Sequence, residues 1–145
     1  MHARCSTTID APPTRVYDTI LDPYAFPKWV VGARRIRGVD EDWPAVMTSF
    51  HHEVGVWPLT IKDKTTMLGH ESDSLVRLRA RAWPAGEAEV RIKLEDTGGG
   101  TLVTIEEEPA AGPLRAMWNP MLVPALHARN QVSLQRLKKL VEQSA

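Results

Sequence analysis

The sequence predicts an α+β domain in which an antiparallel sheet wraps one long C-terminal helix. Three observations carry this. Period-two alternation of apolar and polar residues runs through the middle of the chain. Helical spacing takes over only near the end. Two short helical stretches stand near the start. Strands grouped together with helices set apart indicate α+β rather than α/β. A sheet with one apolar face must cover it, and the only long amphipathic stretch available lies at 126–141.

The elements follow in order. Residues 3–9 are short, β-branched and polar, and predict a first strand. Asp10-Ala11-Pro12-Pro13 ends it, and proline suits a first helical turn because its missing N–H costs nothing there. Val16, Tyr17, Ile20 and Leu21 recur at helical spacing. Asp22-Pro23 breaks that helix, and Tyr24 to Trp29 predict another turn or two.

From Gly32 onward the period becomes two. Val46, Thr48, Phe50, His52, Val54 and Val56 share a parity, as do Ile61, Asp63, Thr65 and Met67. Val76, Leu78, Ala80 and Ala82 alternate with Arg77, Arg79 and Arg81. Ala88, Val90, Ile92 and Leu94 alternate with Glu89, Arg91, Lys93 and Glu95. Each strand thus has a dry face and a wet one. Pro84-Ala85-Gly86 and Thr97-Gly98-Gly99-Gly100 supply tight connections. Val103, Ile105 and Glu107 stay in phase, and Pro109 to Pro113 are expected to end the sheet. Asn119-Pro120 has the form of an N-cap followed by a first-turn proline. Leu126, Asn130, Leu134, Leu137 and Val141 then form one helical stripe. A twisted sheet curling round one helix leaves a wedge between them, where a ligand cavity is expected.

Composition narrows the function. The 145 residues fit one domain, 1–145, which at this length buries roughly 68–70% of its unfolded surface. Apolar content of 43% and charged content of 25% exclude disorder. Eighteen basic residues balance 18 acidic ones, so the basic excess that nucleic acid demands is missing. Arg34, Arg35 and Arg37 read as a solvated strand face. One cysteine, Cys5, permits no internal disulfide and no Cys-based zinc site. No leader-like apolar core and no spanning segment is visible, so membrane insertion is not expected and a cytoplasmic location is. Gly98-Gly99-Gly100 joins two strands and lacks the features of a phosphate loop, and no serine has flanking glycines. No cofactor and no metal is expected.

The run Ile9-Asp10-Ala11-Pro12-Pro13-Thr14-Arg15-Val16-Tyr17-Asp18, with Asp22-Pro23 and Pro27-Lys28-Trp29, resembles the opening of the SRPBCC (START-like) superfamily, in its polyketide cyclase/dehydrase-like branch. Residues 98–105 resemble its penultimate turn and last strand. Leu134, Leu137-Lys138-Lys139-Leu140 and Glu142 resemble the end of its C-terminal helix. The resemblance implies a helix-grip fold of six to seven strands and a cavity for lipids, polyketides or other apolar ligands. Its members range from carriers to cyclases, so fold alone does not set function.

Several polar residues fall where such a cavity is expected. In His51-His52-Glu53 only one histidine can face inward, and parity with Phe50 and Val54 selects His52. His51 and Glu53 share the other face as a possible surface pair. Two histidines at adjacent positions make no metal site. Asp63 and Glu107 share parity with apolar neighbours; each is either an acid/base candidate or a rim salt bridge. His127 and Asn130 lie on or beside the inner stripe of the last helix, which the resemblance makes a cavity wall. Met67, Leu78, Ala80, Ile92 and Ile105 complete the sheet side of the expected lining. Trp118 and Leu122 complete the helical side. His52, Glu107 and His127 are the candidates for moving protons. Three readings stay open: a carrier of an apolar or amphipathic small molecule, a cyclase or dehydratase in the same cavity, and a regulatory module with a filled core.

Overall fold

The structure is a computed structural model that describes residues 3–56, 58–84, 86–112 and 122–144, with Val56 and Leu122 described by backbone alone. Strand β1 (Ala3–Ile9) leads into helix α1 (Pro13–Leu21), a single 3-10 turn (Pro23–Ala25) and the short helix α2 (Phe26–Trp29). Six strands follow: β2 (Ala33–Val39), β3 (Ser49–Val56), β4 (Leu59–Glu71), β5 (Leu75–Ala82), β6 (Gly86–Asp96) and β7 (Thr101–Ala111). Helix α3 (Leu122–Gln143) ends the described chain. The strands form one sheet in the order β1-β7-β6-β5-β4-β3-β2, with every neighbouring pair antiparallel. This is the α+β helix-grip layout. No described helix is long and apolar enough to cross a membrane.

The expected alternation sets the packing. Val76 and Leu78 on β5, Ile92 and Leu94 on β6, and Val103 and Ile105 on β7 turn inward and are buried. Leu134, Leu137 and Val141 of α3 meet them, with Val16, Ile20 and Trp29 closing the cluster from α1 and α2. Burying a side chain of this size contributes about 1.5–3 kcal/mol. The opposite face carries ion pairs at strand spacing: Arg77 Nη2 to Glu89 Oε1 at 2.8 Å, Arg79 Nε to Glu87 Oε1 at 3.1 Å and Lys93 Nζ to Glu106 Oε1 at 2.6 Å.

Three local features depart from the simple alternation. Strand β3 begins at Ser49; Val46 and Met47 lie in the preceding loop, 58% and 69% exposed. Successive turns there, with Met47 at φ 72°, bend the chain out of a ladder. Strand β7 continues to Ala111, and Pro109 is accommodated beside a register shift between Glu87 and Ala88, where no ladder N–H is required of it. Finally, β4 carries a bulge. Met67 opposes Leu78 but Gly69 opposes Arg77, leaving Leu68 as an extra residue. Parity flips beyond it, so His70 opposes the buried Val76 and its Nδ1 shares a 2.8 Å hydrogen bond with Tyr17 Oη of α1.

The two edges of the sheet differ. Along β1, the helix α3 covers the free side: Lys138 Nζ donates to the Thr8 carbonyl at 2.7 Å, Gln135 Nε2 to Thr7 Oγ1 at 3.2 Å and His127 Nδ1 to the Arg4 carbonyl at 3.0 Å. The opposite edge, β2, carries Arg34, Arg35 and Arg37 and two register shifts.

Candidate functional site

Side-chain size sets where the sheet and helix touch and where they part. Along the inner face of β5 the residues run Val76, Leu78, Ala80, Ala82; along β6 they run Leu94, Ile92, Val90, Ala88, Gly86. The large residues pack against Leu134, Leu137 and Val141. The small ones, together with Gly32 and Ala33, cannot reach across, and a chamber of about 320 Å³ remains. Phe26, Val30 and Val31 line it from α2 and the loop after it, Val54 and His52 from β3, and Leu126 and Arg129 from α3. A deeper pocket of about 80 Å³ shares Phe26, Val30, Thr65, Ala80, Glu107 and Arg129 with the chamber, and reaches Trp29, Leu78, Ile92, Ile105, Asn130 and Ser133. The chamber lies within the size range of small-molecule sites.

Glu107 joins the two spaces, lining both. The residue is 7% exposed. Asn130 Nδ2 donates to its Oε1 at 2.9 Å, and Arg129 Nη1 stands 3.7 Å from the same oxygen. Arg129 is held in turn: Nε donates to the Val31 carbonyl at 3.1 Å and Nη1 to Asn130 Oδ1 at 3.3 Å. Ser133 Oγ accepts from the Val31 N–H at 3.0 Å, fixing the loop after α2 to the helix. A buried carboxylate needs such partners because desolvation penalises its charge.

His52 occupies the β3 wall. It is 2% exposed, and its Nε2 shares a 3.0 Å hydrogen bond with Thr65 Oγ1 on β4. Its Nδ1 is sealed from solvent with no partner among the described residues. Burial pushes its pKa below the ordinary 6.5, against the opposing pull of the Asp63 charge, so the imidazole is neutral at pH 7. Cys5 on β1 pairs with Ile105, two residues before Glu107 on β7; burial first, and the Glu107 charge second, raise its thiol pKa.

The sequence-based candidates separate into groups. His52, Ala80 and Glu107 line the chamber; Leu78, Ile92, Ile105 and Asn130 line the deeper pocket. Met67 is fully buried in the core and lines neither. Asp63 opposes His52 across the β3–β4 ladder but stands at the rim. Its carboxylate accepts from the Lys64 N–H at 2.9 Å and the Trp83 N–H at 3.0 Å, and meets Arg81 Nε at 3.5 Å. These partners hold it away from the cavity. His127 is exposed and bonded to Arg4 on β1, because it stands one residue, about 100° of helix, off the inner stripe. Trp118 lies outside the described residues, as does Asn119-Pro120, and no side chain is described for Leu122. His51 does not pair with Glu53: its Nε2 meets Asp40 Oδ1 at 3.3 Å, while Arg35 Nε takes Glu53 Oε2 at 2.6 Å.

Thr65, Arg129 and Ser133 were not among the candidates. Ser133 follows Asn130 by three residues and Arg129 precedes it by one, so both flank the stripe at positions that periodicity assigns to its margin. Among the described residues no group of three or more His, Cys, Asp or Glu is placed to hold a metal ion.

Comparison with known proteins places this geometry. Protein CV1439 from Chromobacterium violaceum is 23% identical, with a TM-score of 0.78 over 97% of each chain. Protein NE0264 from Nitrosomonas europaea is 15% identical, with a TM-score of 0.78 over 99% of this chain and 96% of its own. DynU16, a putative protein in the dynemicin biosynthetic locus, is 15% identical, with a TM-score of 0.70; the match covers 99% of this chain and 48% of DynU16. At these identities the likeness concerns the fold alone. None of the curated proteins is similar enough in sequence to match. A family model described as "polyketide cyclase / dehydrase and lipid transport" matches residues 2–142. On that match, spanning nearly its whole length, the chain belongs to the polyketide cyclase / dehydrase and lipid transport family.

Proposed function

We propose that this protein is a single-domain carrier that binds an apolar or amphipathic small molecule between the sheet and α3. The observation that supports this is the open chamber of about 320 Å³, walled mainly by alanine, valine, leucine, phenylalanine and glycine, with His52, Thr65, Arg81, Glu107 and Arg129 as its polar residues. Apolar surface left facing such a space gains by covering itself with a ligand. The open chamber also favours a ligand over the regulatory-module reading, which needs a filled core.

The test is titration with N-phenyl-1-naphthylamine, a neutral probe whose emission rises in apolar surroundings. Wild-type protein is expected to bind one equivalent saturably. Ala80→Phe, which fills the chamber from β5, is expected to weaken binding at least tenfold while unfolding cooperatively. Absence of saturable binding by the wild type, with retained cooperative unfolding, would overturn the reading.

A cyclase or dehydratase in the same cavity is the second reading. It is favoured by a neutral imidazole and a carboxylate on the same walls. A general base needs a nitrogen lone pair facing the substrate. His52 Nε2 is engaged by Thr65 and Nδ1 is sealed. Carriage therefore accounts for His52 more simply than proton transfer does. A bell-shaped pH–rate profile abolished by His52→Gln would reverse that ranking.

A further inference from the structure

We infer that the cavity selects ligands whose polar end donates a hydrogen bond, namely apolar compounds bearing a neutral hydroxyl, over carboxylates and over pure acceptors. This rests on the reading that the cavity holds a ligand and adds which kind. The carrying observation is the unequal use of the two Glu107 oxygens. Oε1 receives Asn130 Nδ2 at 2.9 Å and faces Arg129 Nη1 at 3.7 Å. Oε2 has no partner among the described residues, yet it is not among the polar atoms sealed from solvent. It belongs to a side chain that lines both the chamber and the deeper pocket. Among the described residues, Glu107 therefore presents an accessible carboxylate oxygen at the junction of the cavity's two parts.

The surrounding groups do not cancel that polarity. The Glu107 side chain is 10% exposed, whereas that of Arg129 is 39% exposed, so water screens the guanidinium more than the carboxylate. Arg129 also spends Nε on the Val31 carbonyl and Nη1 on Asn130. His52 Nε2 and Thr65 Oγ1 satisfy each other on the opposite wall. Arg81, the other cation among the chamber's lining residues, is drawn to Asp63, its Nε 3.5 Å from Oδ1. An entering hydroxyl finds Oε2 ready to accept its proton. An entering carboxylate finds a like charge in a site of reduced dielectric, and an ether finds a buried acceptor that it leaves unsatisfied.

Three naphthalenes of one shape separate the possibilities by isothermal titration calorimetry at pH 7: 2-naphthol, 2-methoxynaphthalene and 2-naphthoate. The wild type is expected to bind 2-naphthol about tenfold or more tighter than the ether, the fold-change of one charge-assisted hydrogen bond, and to bind 2-naphthoate weakest. Glu107→Gln is expected to reverse the naphthol–ether order. Asn130 Nδ2 would hold the amide oxygen and turn the amide NH₂, a donor, toward the ligand. Equal affinity for naphthol and ether, or tightest binding of naphthoate, overturns this inference while leaving the carrier reading intact. Failure of all three to bind overturns both. The wild-type comparison stands even if the variant does not fold.

Discussion

Asn130 on α3 reaches 2.9 Å to Glu107 on β7, and this amide–carboxylate bond joins the helix to the sheet at the point where the core ends and the cavity begins. Removing one partner strands the other in a buried setting. Asn130→Ala is expected to cost about 1–3 kcal/mol of stability, read from the urea midpoint. In a double-mutant cycle with Glu107→Ala the two losses should not add, since each removes the same bond. Additive losses would mean the residues act separately.

His52 gives the protein a stability slope near neutrality. Its folded pKa is lowered by burial, so below 6.5 the unfolded chain takes a proton that the folded one resists. The His52 contribution is whole above 6.5 and is lost as pH falls through its lower folded value. Asp40, Glu53 and Glu142 act in a more acidic window. Hydrogen bonds to their carboxylates lower their pKa values below the ordinary 3.8, 4.5 and 4.5, and their contribution disappears as pH falls through those lowered values. Urea titrations at stepped pH should show a decline that sets in below 6.5 and steepens below the ordinary carboxylate values, and His52→Gln should flatten its upper part. An unchanged upper slope would assign it to another group.

Neighbouring glycines in the β6–β7 turn should respond differently to alanine. A Cβ on Gly100 would stand 2.6 Å from the Ile9 carbonyl oxygen of β1, a backbone atom that cannot move alone. A Cβ on Gly99 would meet nothing within 4 Å. Gly100→Ala is expected to lose about 2 kcal/mol or more, and Gly99→Ala to stay within about 0.5 kcal/mol of wild type, by thermal or chemical unfolding. Equal effects would show that β1 does not press on this turn.

Core and surface charges should differ in weight. Leu134 is fully buried against the inner face, so Leu134→Ala should cost about 2–5 kcal/mol. Arg79 meets Glu87 at 3.1 Å with its side chain 36% exposed, so Arg79→Ala should cost at most about 1 kcal/mol, and less at high salt. Denaturation at two salt concentrations separates the two.

Cys5 should behave as an inert thiol. It is 5% exposed, and burial together with the Glu107 charge raises its pKa. Ellman's reagent is expected to label it only as fast as the protein opens, with labelling rates that follow denaturant as unfolding does. Rapid labelling of folded protein would mean that the β1–β7 edge opens locally.

The parts of the fold that sequence displays are those that repeat. Alternation on β5 and β6 marks the inner face residue by residue, and the taper from Val76 to Ala82 already outlines the cavity wall. The stripe through Asn130, Leu134 and Val141 marks the helix face. The parts it hides are those created by a single inserted residue or by a partner from elsewhere. Leu68 bulges beside Gly69, and a glycine inside a strand marks where a bulge can flip the parity, but it does not name Tyr17 as the partner that His70 then meets. Parity turns both Asp63 and His52 to the inner face, but it shows neither their pairing across the ladder nor the Trp83 N–H and Arg81 that hold the carboxylate at the rim. His51 finds Asp40 because an irregular loop returns there, a closure that spacing cannot express.

The hydrogen bonds from α3 to the outer side of β1 bear on self-association. An uncovered strand offers its carbonyls and N–H groups to any passing chain, but here Lys138 and His127 occupy the Thr8 and Arg4 carbonyls. A second molecule seeking to extend the sheet is left with β2, where two register shifts interrupt the regular ladder it would need. The helix that roofs the cavity therefore also covers the sheet edge at which a second chain would otherwise pair.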